Sequence, residues 1–172
     1  GEGIAKVNGF TIFIPNALKG EKCEVLILKV LSSQAYGKVV KILEESEDRM
    51  KPDCETYQRC GGCDLRHMKY ETTLNLKRNT VQSLINKSLK NKIEAKKTIG
   101  MKNPYNYRNK AQFPVGIDKE GSPIIGVFAQ RSHTIIPIKN CKIQTEISQE
   151  IARSIIEFIK ENKTRSQFQY NL

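Results

Sequence analysis

Three cysteines crowd one short run, Asp53-Cys54-Glu55-Thr56-Tyr57-Gln58-Arg59-Cys60-Gly61-Gly62-Cys63, and a fourth, Cys141, comes much later in the chain. A fold that uses all four must bring two distant stretches to one point, which constrains the architecture more than any local periodicity. Four thiolates are the ordinary ligand set of a cubane iron–sulfur cluster, and Gly61-Gly62 lets the backbone wrap closely around it. Structural zinc more often uses two close pairs, and only Cys60 and Cys63 are so paired here. Disulfides fit poorly, because no signal peptide is visible and Cys23 leaves an odd count. Spacing alone ranks a cluster first, zinc second and unrelated reduced thiols third.

With 172 residues the chain can form one domain with a real core, or two small ones. It opens on Gly1, which reads as a trimmed or processed start. No apolar run approaches the roughly 20 residues of a membrane helix, so no membrane partner is expected and the cytoplasm is the expected location. The net charge of +11 is unevenly placed. Residues 1–50 carry seven basic and seven acidic side chains, whereas residues 66–110 carry twelve basic residues against only Glu71 and Glu94. That asymmetry points to a polyanion, with nucleic acid favoured over a lipid surface. The plain alternative is a solvated lysine-rich face.

The first 43 residues predict small β-structure. Ile4 to Val7 and Phe10 to Ile14 flank Asn8-Gly9, a strong hairpin signal. Two further strands are predicted over 23–30 and 36–43. Strands this short and closely spaced suit a small barrel of the oligonucleotide-binding kind. Cys23 is in phase with Val25 and Ile27 and reads as a core residue. The acidic run Glu44-Glu45-Ser46-Glu47-Asp48 marks a boundary. A helix is predicted over 70–89 with an imperfect stripe of Tyr70, Leu74, Val81, Leu84, Ile85 and Leu89, and then a basic connection over 91–100. Strands are predicted over 109–117, 124–129 and 134–138, then a helix capped by Thr145 whose Ile147, Ile151, Ile155, Phe158 and Ile159 repeat at helical spacing. Residues 167–172 resemble a strand cut short.

Gly1-Glu2-Gly3-Ile4-Ala5 with Phe13-Ile14-Pro15-Asn16-Ala17-Leu18-Lys19-Gly20-Glu21 resembles the TRAM domain, a small RNA-binding barrel. Cys54 with Cys60-Gly61-Gly62-Cys63-Asp64-Leu65-Arg66-His67, completed by Cys141, resembles the cluster motif of the RNA uracil-5-methyltransferases, the bacterial 23S ribosomal RNA enzymes above all. Tyr107-Arg108-Asn109-Lys110 and Gly126-Val127-Phe128-Ala129 fit the segment after the cluster helix in that family. The resemblance implies an α+β chain: a TRAM barrel over 1–46, a cluster loop over 47–69, a helix and basic connection over 70–97, and a truncated central mixed α/β domain over 98–172 that contributes Cys141. It also implies a 4Fe-4S cluster on Cys54, Cys60, Cys63 and Cys141.

The family's chemistry has a cysteine add to C6 of uracil, a methyl group pass from S-adenosylmethionine to C5, and a carboxylate-type base remove the C5 proton. This sequence has no Gly-rich methyl-donor loop and no spare cysteine for that step, so no catalytic residue is assigned in it. The expected picture is the RNA-binding N-terminal portion of a longer, monomeric enzyme, inactive alone, with ribosomal RNA rather than DNA as partner. Because the barrel segment is neutral, phosphate contacts are expected from Arg66, Lys69, Arg108, Lys110 and Arg131, with Tyr105, Tyr107 and His133 as stacking partners. Phe10 and Tyr36 are the barrel's own stacking candidates, Phe13 its core aromatic, and His67 is expected to pack rather than ligate. The competing readings are a stand-alone RNA-binding module with structural zinc or cluster, and an iron–sulfur electron carrier, which would usually hold its ligands more locally.

Overall fold

The computed structural model describes residues 2–89, 93–137 and 139–162. The predicted strand over 167–172, Lys90, Asn91 and Ile138 lie outside the described residues. The chain divides into two compact units. One is Gly1–Pro52 with Asp64–Gly100; the other is Asp53–Cys63 with Met101–Leu172. No helix among the described residues is long and apolar enough to cross a membrane.

The first unit opens with strands β1 (Glu2–Val7) and β2 (Phe10–Pro15), antiparallel and joined by the expected Asn8-Gly9 turn. Both turn residues take positive φ, 50° and 82°, which asparagine tolerates and glycine accepts freely. Strands β3 (Lys22–Val30) and β4 (Gln34–Glu44) form a second antiparallel pair, and β4 runs parallel to β2. The sheet order is β1-β2-β4-β3, so β1 and β3 are opposite edges.

The predicted barrel is therefore not closed. Closure would require the outer strands to share a ladder. Instead, register shifts near Cys23, Val25 and Ile27 bend β3 along β4, and Leu26, Leu28 and Val30 remain exposed. The buried apolar side chains of this sheet region are few: Ile14, Leu18 and Ala35. Phe13 and Tyr36 are half-buried and stack with ring centroids 5.6 Å apart. Phe10 is also half-buried. Cys23 sits half-buried on β3, where burial pushes its thiol up.

Polar contacts fix the segment after β4. Glu21 accepts hydrogen bonds from Leu18 N at 2.8 Å and from Arg49 Nη2 at 2.7 Å, and it pairs with Arg49 Nε as well. The same guanidinium donates to Asn16 O at 2.7 Å. Arg49 bridges to Met68, and Met50 N donates to His67 O, so the 64–69 return lies on this turn. His67 is 2% exposed, and burial holds its imidazole below the ordinary range, hence neutral. It packs in this unit, whereas Cys54, Cys60, Cys63 and Cys141 belong to the other.

Helix α1 (Tyr70–Ser88) forms close to its predicted bounds, but its apolar stripe is not buried as a row. Val81, Leu84 and Leu89 are exposed. The 93–98 segment lies along the helix instead, held by polar bonds. Arg78 Nε donates to Ala95 O, Ala95 N to Gln82 Oε1, and Thr98 Oγ1 to Leu74 O.

In the second unit β5 (Val115–Ile117), β6 (Pro123–Phe128) and β7 (Ile135–Pro137) make an antiparallel sheet in that order. The strand predicted over 109–117 shrinks to its last three residues, because Pro114 supplies no N–H to a ladder. Asp118 Oδ1 accepts from Glu120 N and Ser122 N, closing the predicted turn. Helix α2 (Glu146–Glu161) starts at Thr145 as expected, with Thr145 Oγ1 accepting from Ser148 N at 3.4 Å. It packs on β6. The face it buries carries Gln149, Ala152 and Ile156 rather than the predicted stripe, and Ile147, Ile151, Ile155 and Phe158 are exposed. Both sides of this helix are apolar, so helical spacing alone did not choose between them.

Burial opposes ionisation of Glu21, but hydrogen bonds from Arg49, Leu18 and Ser46 outweigh it and hold the carboxyl below its usual range. A depressed folded-state pKa means the stabilisation is complete above the unfolded carboxylate value and is lost as pH falls through the folded one. Glu21→Gln is expected to destabilise the chain by about 3 kcal/mol in urea unfolding at neutral pH. The wild-type advantage should shrink steadily on acidification, and an unchanged gap at acid pH would contradict this role.

Candidate cluster site and RNA interface

All four candidate ligands, Cys54, Cys60, Cys63 and Cys141, fall in the second unit, and Cys23 falls in the first. The loop that carries three of them is built from local turns, with Tyr57 N donating to Cys54 O at 3.1 Å and Cys60 N to Thr56 O at 2.8 Å. Tyr57 is buried and anchors it. Backbone pairing then places the loop on the end of β6, through the bridge of Cys60 with Ala129 and the bond from Gln130 N to Arg59 O at 2.9 Å.

The fourth cysteine is positioned from helix α2. Gln149 Oε1 accepts from Cys141 N at 2.6 Å, and Gln149 Nε2 donates to Cys141 O at 3.1 Å. This buried amide holds the Cys141 backbone as a neighbouring strand would. Cys141 is half-buried, as are the other three.

None of the five cysteines forms a disulfide. The Cys60 thiol is pushed up first by burial, then by the neighbouring Cys141 and Cys54, while Gly62 N–H and Arg108 pull it down. Cys54 and Cys141 are thus each near enough to Cys60 for their charge to reach its thiol. Among the described residues no His, Cys, Asp or Glu side chains converge into a metal-binding group. The sulfurs instead meet local partners: Cys54 Sγ lies 3.4 Å from Thr56 Oγ1, and Cys60 Sγ accepts from Gly62 N at 3.3 Å.

The donor set nonetheless fits an iron–sulfur cluster. It offers four thiols in one unit, three on a glycine-containing loop. A Cβ on Gly62 would stand 3.3 Å from Cys60 Sγ, so a side chain there would crowd the sulfur.

The expected RNA contacts are divided between the units. Arg66, half-buried, and Lys69, exposed at the start of α1, lie in the first. Tyr105, Tyr107, Arg108, Lys110, Arg131 and His133 lie in the second and are all exposed. Arg108 is fixed by its N–H to Ile143 O at 2.8 Å, and its charge reaches Cys60. Arg131 takes φ 56° in the turn between β6 and β7, just beyond the residues that pair with the cysteine loop. His133 packs edge-to-face on Phe128 with centroids 5.4 Å apart, which accounts for the ring structurally while leaving it exposed.

Sequence reasoning missed Gln149, Lys139, Lys142 and Arg153. Lys139 and Lys142 flank Cys141, which was a usable signal. Gln149 and Arg153 stand on the side of α2 opposite its more conspicuous apolar stripe of Ile147, Ile151, Ile155 and Phe158.

Gln149→Leu keeps the side chain's bulk but strands the Cys141 amide and carbonyl. A loss of about 2 kcal/mol in urea unfolding is expected, with faster labelling of Cys141 by a thiol reagent in the folded protein. Unchanged labelling would show that the Cys141 segment is held by other contacts.

Residues 1–40 match the TRAM domain family. Over 160 residues, 93% of the chain, the sequence is 44% identical to an uncharacterized RNA methyltransferase of Clostridium tetani, covering 35% of that protein. A second such protein, from Clostridium acetobutylicum, is 44% identical over 164 residues, again with 35% of its length covered. The fold resembles Pyrococcus abyssi tRNA (uracil-54, C5)-methyltransferase, solved with S-adenosyl-L-homocysteine, at a TM-score of 0.61 and 23% identity over 94% of this chain and 37% of that one. The chain spans about a third of the length of the curated relatives it matches, and over that third it is similar to these RNA methyltransferases.

Proposed function

We propose that this chain is the RNA-binding, cluster-carrying portion of an S-adenosylmethionine-dependent RNA uracil-5-methyltransferase that acts on 23S ribosomal RNA. The observation that carries the reading is the relationship to RNA methyltransferases along 93% of the chain, with a TRAM match at its start. The basic excess beyond residue 50 supports an RNA partner. The archaeal neighbour of similar fold is named a uracil-C5 enzyme and was solved with the demethylated methyl donor, which supports both the base and the donor. The four candidate ligands and Cys23 account for every cysteine of the chain and leave none for methyl transfer, so in this reading the chain alone does not methylate.

Cys54, Cys60, Cys63 and Cys141 hold a 4Fe-4S cluster in this reading. When bound, the cluster supplies a rigid cross-link between the 53–63 loop and the Cys141 segment. The chain's own residues do the recognition: Arg108, Lys110 and Arg131 contact phosphates, and Tyr105, Tyr107 and His133 offer faces to unpaired bases. Arg66 and Lys69 add phosphate contacts from the first unit. The neutral TRAM sheet contributes shape and stacking through Phe10 and Tyr36. The competing target is transfer RNA, because that is the substrate in the neighbour's name.

Binding of fragments of 23S ribosomal RNA and of transfer RNA should be measured against salt. The ribosomal fragments should bind more tightly, with a log–log slope on the order of −0.7 per neutralised phosphate on single strands. Replacing Arg108, Lys110 and Arg131 together by glutamine should flatten that slope by about two units. Tighter binding to transfer RNA would reassign the substrate, and salt-independent binding would remove the phosphate role.

A further inference from the structure

The second unit contains a cavity of about 620 Å3 that none of the expected RNA contacts except Tyr105 reaches. We propose that it is a pocket for a single unpaired nucleotide of the RNA, built against the cysteine loop. The inference rests on the RNA-binding reading and deepens it by naming where one nucleotide is held.

The lining and the volume support a nucleotide rather than an apolar ligand. Its cations are Lys139, Lys142 and Arg153, and among the described residues none of them makes an ion pair. Lys142 is half-buried, so an anionic partner would meet a partly desolvated charge. Two carboxylates, Asp53 and Glu146, also line the cavity. They oppose binding of a bare phosphate there but accept from the exocyclic amino and imino groups of a base. The amides of Asn103, Asn106 and Asn140 can both donate and accept. Tyr105, 40% exposed, offers a ring for stacking. The volume falls in the range of small-ligand clefts, roughly 300–1,000 Å3.

The walls are fixed rather than loose. Asn106, at φ 50°, donates its N–H to Lys142 O at 2.9 Å, tying the 103–106 segment to the 139–142 segment. Gln149 ties the latter to α2 through Cys141. Asp53 precedes Cys54 and Lys142 follows Cys141, so the pocket and the four thiols share the same two stretches of backbone.

The test uses the whole chain and a fluorescein-labelled ten-nucleotide single-stranded RNA in which each uridine is 4-thiouridine. After ultraviolet irradiation the cross-linked peptides of the unaltered protein should map to 103–106 and 139–153. Lys142→Gln and Tyr105→Leu should each weaken binding roughly five-fold or more, while Lys119→Gln, in the turn between β5 and β6, leaves it unchanged. RNA binding with cross-links elsewhere and no effect of either substitution would overturn the pocket and leave the RNA-binding reading standing. Absence of RNA binding by the unaltered protein would overturn both. Because the cross-link map needs no substitution, a variant that misfolds does not blunt the result.

Discussion

The second unit depends on one piece of backbone pairing, the stitch that joins the 53–63 loop to the end of β6. The chain leaves the first unit at Pro52, makes a short excursion, and returns at Asp64. The Cys60–Ala129 bridge and the Gln130–Arg59 bond, with buried Tyr57, anchor that excursion in the sheet. The hold that each such bond gives is worth only about 1 kcal/mol net. A shared cluster would strengthen it by closing a loop from Cys63 to Cys141, a constraint that acts mainly on the unfolded chain. The cysteine spacing makes sense in these terms: it joins a short insertion to the body it is inserted into.

Much of this was legible locally. Asn8-Gly9 set a hairpin because both positions need positive φ, and Thr145 set a helix start because its hydroxyl caps a backbone N–H. The acidic run at 44–48 begins where β4 ends and lies inside the first unit. Non-local pairing was harder to read. Whether β1 meets β3 depends on bulges in β3 that no alternation pattern announces, so a barrel was expected where an open sheet is found. Pro114 is visible in the sequence, and its missing N–H confines β5 to the residues after it. The α2 stripe shows a different limit: with apolar residues on two sides, period alone cannot say which side faces the sheet.

The candidate site was legible as a list of residue types and not as an arrangement. Four cysteines were singled out, and all four fall in one unit. The polar groups that hold and surround them were not, because Gln149 serves through a side-chain amide and Lys142 through partial burial. The charge pattern pointed to the region beyond residue 50 without separating Lys69, on the first unit, from Lys142, in a cleft of the second. Charge along a sequence identifies a class of partner; geometry decides which cations can serve it.

The central claim is that the four thiols act as one site tying two stretches of chain together. Iron and sulfide analysis of anaerobically purified protein tests it most directly, with Cys141→Ser and Cys23→Ser compared side by side. The account predicts iron and sulfide in equal amounts, about four of each per chain, lost in Cys141→Ser and retained in Cys23→Ser. Stoichiometric zinc without sulfide, or iron that survives Cys141→Ser intact, would contradict it.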